Sequence, residues 1–129
     1  MKKISLSILL VFFLITIAAY GMDNDIIAVA SEGKTASARV SEVAARSPYF
    51  LLFDGDGKLL EAVDNPSKGA KGGAATSAVN FLSQKKAAFV VAGEFGKNMT
   101  QAMKTKGIKY LQFKGSVEEA LKKVLEMKK

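Results

Sequence analysis

The apolar run AAFVVAG (87–93) does most to narrow what this chain can fold into. A strand that is apolar at every position needs cover on both faces, which marks the interior of a parallel sheet clothed by helices. Its flanks agree. Before it, Ala75, Ala78, Val79 and Leu82 recur at i, i+3, i+4 and i+7, predicting an amphipathic helix over 74–85. After it, Met99, Ala102 and Met103 mark a short helix ending at Gly107, a glycine suited to the left-handed residue that closes a helix. IKYLQF (108–113) then alternates with period two and reads as a strand. Ser116 and Glu119 form a capping box for a last helix that buries Val117, Ala120, Leu121, Val124 and Leu125. Glu118 with Lys122 and Glu119 with Lys123 add i, i+4 pairs on its outer face.

Upstream, DIIAVAS (25–31) is a short β-branched run that reads as a buried strand. Residues 32–48 are polar, although Val40, Val43 and Ala44 carry the spacing of a short helix. YFLLFD (49–54) and KLLEAVD (58–64) are strand-like and joined by Gly55-Asp56-Gly57, a hairpin signal. Two successive β-α-β crossovers imply an α/β fold: a largely parallel sheet of about five strands with an antiparallel hairpin, flanked by three helices.

The first 21 residues are a different kind of sequence. Lys2 and Lys3 precede an apolar stretch from Ile4 to Ala18, and Ala19-Tyr20-Gly21 places small residues before Met22. That is the pattern of a signal peptide cleaved after Gly21, leaving a domain over 22–129 in the periplasm or secreted. The alternative is an uncleaved anchor facing the periplasm, because the apolar stretch approaches membrane-spanning length. Without Lys2 and Lys3, the 19 basic and 12 acidic residues leave a net charge of +5. Such a field favours anionic partners. A dense basic patch interleaved with aromatics, as in nucleic-acid binders, is not visible in the sequence.

The chain has no cysteine and no histidine. Disulfides are thereby excluded, as are the usual protein ligands for zinc, copper, haem and iron–sulfur clusters. The commonest general base and the thiolate nucleophile are missing too. Glu32, Glu42 and Glu94 have no spacing that pairs them, and serine lacks a base partner. These residues give no support to an enzyme.

An anion site has more in its favour. In open α/β sheets ligands sit outside the carboxyl ends of the parallel strands. Three segments are expected there: SEGKTASAR (31–39), with Ser31, Lys34 and Arg39; KGAKGG (68–73), with Lys68, Lys71, Gly72 and Gly73; and GEFGKN (93–98), with Gly93, Gly96 and Asn98. Backbone N–H groups of a glycine-rich helix start could hold an anion, with Arg39 and Arg46 as planar donors from the opposite side. Convergence of Arg39, Arg46 and Lys71 on one cleft would favour a carrier of such an anion, and outward splaying of the three would count against it.

RSPYFLLFD (46–54), VVAGEFGKN (90–98), GIKYLQFKGSVEEAL (107–121) and the glycine-rich helix start together resemble the dinitrogenase iron–molybdenum cofactor biosynthesis family, over residues 26–125. The resemblance implies a ribonuclease H-like fold without nuclease activity and a small non-enzymatic carrier of metal–sulfur clusters. The implied cargo is a molybdenum-, iron- or copper-containing sulfur cluster held without covalent ligands, since such a cluster is itself an anion. Where family members often carry a histidine before the R-x-P-Y-F motif, this chain reads SARVSEVAARSPYF, with neither histidine nor cysteine. Two functions follow as expectations: an exported carrier of an anionic cluster or oxyanion, or a periplasmic protein-interaction domain that has kept the fold and lost the ligand. The expected partners are the anionic ligand and a periplasmic protein, with no nucleic acid, and a membrane only if the N-terminal segment is uncleaved.

Overall fold

The computed structural model describes residues 25–129. The signal-peptide reading of residues 1–21 lies outside the described residues. The chain forms strands β1 (Ile26–Ser31), β2 (Tyr49–Phe53), β3 (Leu59–Asp64), β4 (Ala87–Ala92) and β5 (Lys109–Gln112). Its helices are α1 (Ala74–Gln84), α2 (Lys97–Lys106) and α3 (Val117–Met127), with a 3₁₀ turn at Ala44–Arg46. The strands make one sheet in the order β3-β2-β1-β4-β5. β1, β4 and β5 are parallel, while β2 runs antiparallel to both β1 and β3. This is the mixed sheet expected from the two crossovers and the hairpin.

β1 and β4 are the central strands, and their continuous apolar character follows from that position. On one face Ala28, Ala30, Phe50, Leu52 and Val90 pack against Ala78, Val79 and Leu82 of α1 and Met99 and Met103 of α2. On the other, Ile27, Val29, Leu51, Phe53 and Val91 pack against Val117, Ala120, Leu121 and Val124 of α3. Because side chains alternate along a strand, odd-numbered residues of β1 serve α3 and even-numbered ones serve α1 and α2. α2 ends as expected at Gly107, with φ +71.

The segment 40–46 corrects an expectation. Val40, Val43 and Ala44 do not share a helix face: Val40 is buried under α3, Ala44 under α1 and α2, and Val43 is half exposed. The chain here crosses the end of the sheet from one face to the other. The N–H of Ser41 donates to Ala30 O at 2.8 Å, that of Gly93 to Ser41 O at 2.8 Å, and that of Glu94 to Glu42 O at 2.6 Å. Extended backbone bonded to the ends of β1 and β4 occupies 40–43, and the helical turn that the spacing suggested is confined to the 3₁₀ turn at Ala44–Arg46. Apolar residues three and four apart can serve a helix face or two faces of a layer, and only the layer distinguishes them.

The capping box forms. Ser116 Oγ accepts from the Glu119 N–H at 3.1 Å, and the Glu119 carboxylate accepts from the Ser116 N–H at 3.0 Å. The bonds to the Ser116 backbone and then to its side chain hold the Glu119 carboxyl below its ordinary value. With a depressed folded pKa, its contribution is complete above the unfolded pKa and is lost as pH falls through the folded one. Ser116→Ala should destabilise the domain by about 1 kcal/mol at neutral pH. Glu119→Gln should be less stable than wild type at neutral pH, with the gap closing in acid; urea melts across that range check both. The expected Glu118–Lys122 and Glu119–Lys123 pairs do not form. Among the described residues the ion pairs are Lys85–Glu61 and Lys128–Asp25, both at 3.6 Å. Glu119 is turned back toward its cap, and an exposed pair on a helix gains too little to order two long side chains.

Candidate functional site

The carboxyl ends of β1, β4 and β5 lie together with the glycine-rich loop that follows β3. Three helices start from this end, because each returns the chain to the opposite end before the next strand or the C-terminus. Their N-termini differ. α3 is closed by its capping box, and its Val117 and Glu118 N–H groups also donate to Ala38 O and Ala36 O. α1 starts at Gly73 and α2 at Gly96, both without a side-chain cap. Among the described residues, the N–H groups of Gly72, Gly73 and Ala74, and those of Lys97 and Asn98, have no hydrogen-bond partner. Both starts belong to the face that carries Ala44. A helix N-terminus concentrates unpaired donors and partial positive charge, so two of them on one face suit an anion.

The glycine-rich loop is anchored before it opens. Asn65 and Ser67 are buried, and the Asn65 Nδ2 donates to Ala45 O at 3.0 Å and Ser47 O at 2.9 Å. Asn65 Oδ1 in turn accepts from the Ser67 N–H at 3.0 Å and the Ser67 hydroxyl at 2.7 Å. Arg46 Nη1 reaches across to Ala70 O at 2.7 Å. Beyond Ala70 the backbone is uncrowded: a Cβ on Gly72 or Gly73 would meet nothing within 4 Å. Gly73 sits at φ +67, a left-handed conformation that turns the chain into the helix and that a side chain would strain.

The other residues expected at the site divide into groups. Ser31 is buried, and its hydroxyl is occupied by Gly33, donating to its O at 2.6 Å and accepting from its N–H at 3.2 Å. Gly93 spends its N–H on Ser41, and a Cβ there would stand 2.8 Å from Glu42 Cα. Its lack of a side chain therefore serves close backbone approach. Lys34 and Lys68 both sit over the ring of Tyr49, at 5.5 and 6.0 Å from its centroid. Arg39 lines a cleft of about 380 Å³ with Glu32, Glu42, Gly93, Phe113 and Lys114, which neither Arg46 nor Lys71 lines. The expected convergence of Arg39, Arg46 and Lys71 does not occur, because residues 40–44 cross the sheet end between the two arginines. What remains on the face that carries Ala44 is Arg46 on the loop, with Lys71, Gly72 and Gly73 at the start of α1 and Gly96 and Asn98 at the start of α2.

Several contributors were not singled out from the sequence. Asn65 and Ser67 shape the loop, and Tyr49 gathers two lysines from separate loops. Lys97 adds a cation at the first position of α2. Asn-Pro-Ser ahead of the glycines was a readable signal, since short polar side chains there commonly organise a turn. Among the described residues no three Asp or Glu side chains gather as a metal would require.

Fold and geometry together define a small α/β domain with open backbone donors at the carboxyl end of its sheet. The chain belongs to the dinitrogenase iron-molybdenum cofactor family, which it matches over residues 25–127. Among solved structures it is similar to the apo form of the orange protein from Desulfovibrio gigas, at 29% identity and a TM-score of 0.75, covering 80% of this chain and 88% of that one. It is also similar to a NifB-like protein from Thermotoga, at 32% identity and a TM-score of 0.67, covering 79% and 88%. A protein from Methanocaldococcus jannaschii shares the fold, at 12% identity and a TM-score of 0.58, covering 79% and 88%. No curated protein matches the chain. The family points to a cofactor-binding or carrier role.

Proposed function

We propose that this domain is an exported, non-enzymatic carrier of an anionic metal–sulfur cluster or a comparable oxyanion, bound non-covalently at the starts of α1 and α2. The observation that carries this reading is the pair of uncapped helix N-termini opening on one face beside an anchored glycine-rich loop. Family membership supports this class of cargo. The donor set fits an anion and does not fit direct coordination: it offers N–H groups of Gly72, Gly73, Lys97 and Asn98 and the ammonium groups of Lys71 and Lys97, with no thiolate or imidazole in the chain. Hydrogen bonds to the outer sulfur or oxygen atoms and the positive ends of two helices would retain the cargo and leave its metals coordinated by their own ligands. Export, with cleavage after Gly21, belongs to the same proposal.

The purified protein, titrated with tetrathiomolybdate with and without copper(I), should retain a visible charge-transfer band after desalting. A Lys71→Glu, Lys97→Glu double variant should bind at least about tenfold more weakly, from two reversed charges at close range. Arg39→Ala should stay within about twofold of wild type, since its cleft is separate. Colourless wild-type protein after desalting would remove the carrier reading. Equal loss in Arg39→Ala would move the site to the other face.

A further inference from the structure

We propose that the side of the domain formed by α2 and β5 docks an extended acidic segment of a partner protein. From Phe95 to Val117 the chain contains no Asp or Glu and five lysines, at 97, 104, 106, 109 and 114. All five are exposed, and among the described residues none has an ion-pair partner. Lys109 points to the sheet face opposite Tyr110 and Lys114 lines the Arg39 cleft, but Lys97, Lys104 and Lys106 lie on α2, the helix leading into β5 at the end of the sheet. A shallow groove of about 750 Å³ runs along it, lined by Lys97, Thr100, Gln101, Lys104, Thr105 and Tyr110. Every lining group is cationic or a neutral hydrogen-bonding side chain. Tyr110 is 43% exposed and is fixed from behind by Phe95, with ring centroids 4.9 Å apart. Such a supported aromatic is the kind of anchor on which interfaces concentrate binding energy.

Two features select a protein as the occupant. Among the described residues β5 has a strand partner on one side alone, so its other edge offers a row of backbone donors and acceptors that an extended peptide can pair with. All cations on this side are lysines, which match carboxylates as point charges but lack the planar fork and stacking surface that favour arginine in nucleic-acid contacts. One exposed tyrosine gives little to insert into a lipid surface. The docked segment would pass Lys97, at the start of α2, and so bring a partner next to the proposed cargo site. The docking surface itself stands independently of that site.

The test uses a fluorescent peptide alternating glutamate and valine, with an oligothymidine strand and vesicles of anionic phosphatidylglycerol as comparators. The peptide should bind in a salt-sensitive manner and shift backbone amide resonances of α2 and β5. Lys97→Glu, Lys104→Glu should weaken it at least about tenfold, whereas Lys122→Glu, Lys123→Glu on α3, with the same charge change, should weaken it less than about threefold. Each double variant is exposed, and its amide spectrum reports whether the fold is kept. Equal weakening by the two variants, absence of binding up to millimolar peptide, or tighter binding of oligothymidine or vesicles through the same resonances would overturn the proposal.

Discussion

Asn65→Ala is expected to destabilise the domain by about 3 kcal/mol, because four hydrogen bonds end on this side chain and three of them are with the buried residues Ser47 and Ser67. Removing it leaves the Ser67 hydroxyl with only a long bond to Ala45 O at 3.3 Å, and deprives the Ala45 and Ser47 carbonyls of an amide donor. For a domain of this size the loss corresponds to a fall in Tm of roughly 15 °C. Calorimetry would show it, and a loss under about 1 kcal/mol would mean that Arg46 and the backbone bonds of the loop hold it without the Asn65 side chain. Asn65→Asp sharpens the test. A carboxylate facing two carbonyl oxygens is repelled when charged, so its folded pKa is raised. Its destabilisation should therefore grow as pH rises above the unfolded carboxyl pKa and shrink in acid. Both variants should also weaken retention of thiomolybdate, since the loop that presents Gly72 and Gly73 would no longer be fixed.

Gly93→Ala should cost about 2–3 kcal/mol. The added methyl would stand 2.8 Å from Glu42 Cα and 3.0 Å from Glu42 O, both backbone atoms that cannot rotate aside. Relief requires moving residues 41–42 away from the end of β4, which breaks the Gly93–Ser41 and Glu94–Glu42 hydrogen bonds. Gly72→Ala is the control, with nothing within 4 Å of the new atom, and should lie within about 0.5 kcal/mol of wild type. Urea melts of the two variants separate a glycine required by packing from one that leaves space. Similar stabilities would show that the 41–42 segment yields to the methyl.

These expectations rest on residues whose roles were unevenly visible in the sequence. The glycines of GEFGKN and of KGAKGG look alike as letters, and both were read as places where an anion meets backbone. Gly93 instead makes room for a crossing chain, while Gly72 and Gly73 face open space. Spacing along the chain carries no information about which distant segment approaches a glycine. Arg39 and Arg46 were likewise paired in the reading, and they face different surfaces because Val40 and Ala44 are buried on opposite sides of the sheet. In the sequence the lysines of α2 count only toward net charge; packing of α2 beside the edge strand brings Lys97 and Lys104 to one groove with Tyr110.

Local order was settled by the sequence alone: five strands, three principal helices, the capping box at Ser116, the helix end at Gly107 and the family all follow from periodicity, turn residues and motif. These depend on contacts within a few residues or on the two repeating side-chain directions of strand and helix. The tertiary structure alone decided which helix starts remain open, which arginine holds the loop and where positive charge accumulates. Each depends on segments far apart in sequence meeting at one end or edge of the sheet, and a pairing between distant backbone groups leaves no periodic trace in the residues that make it.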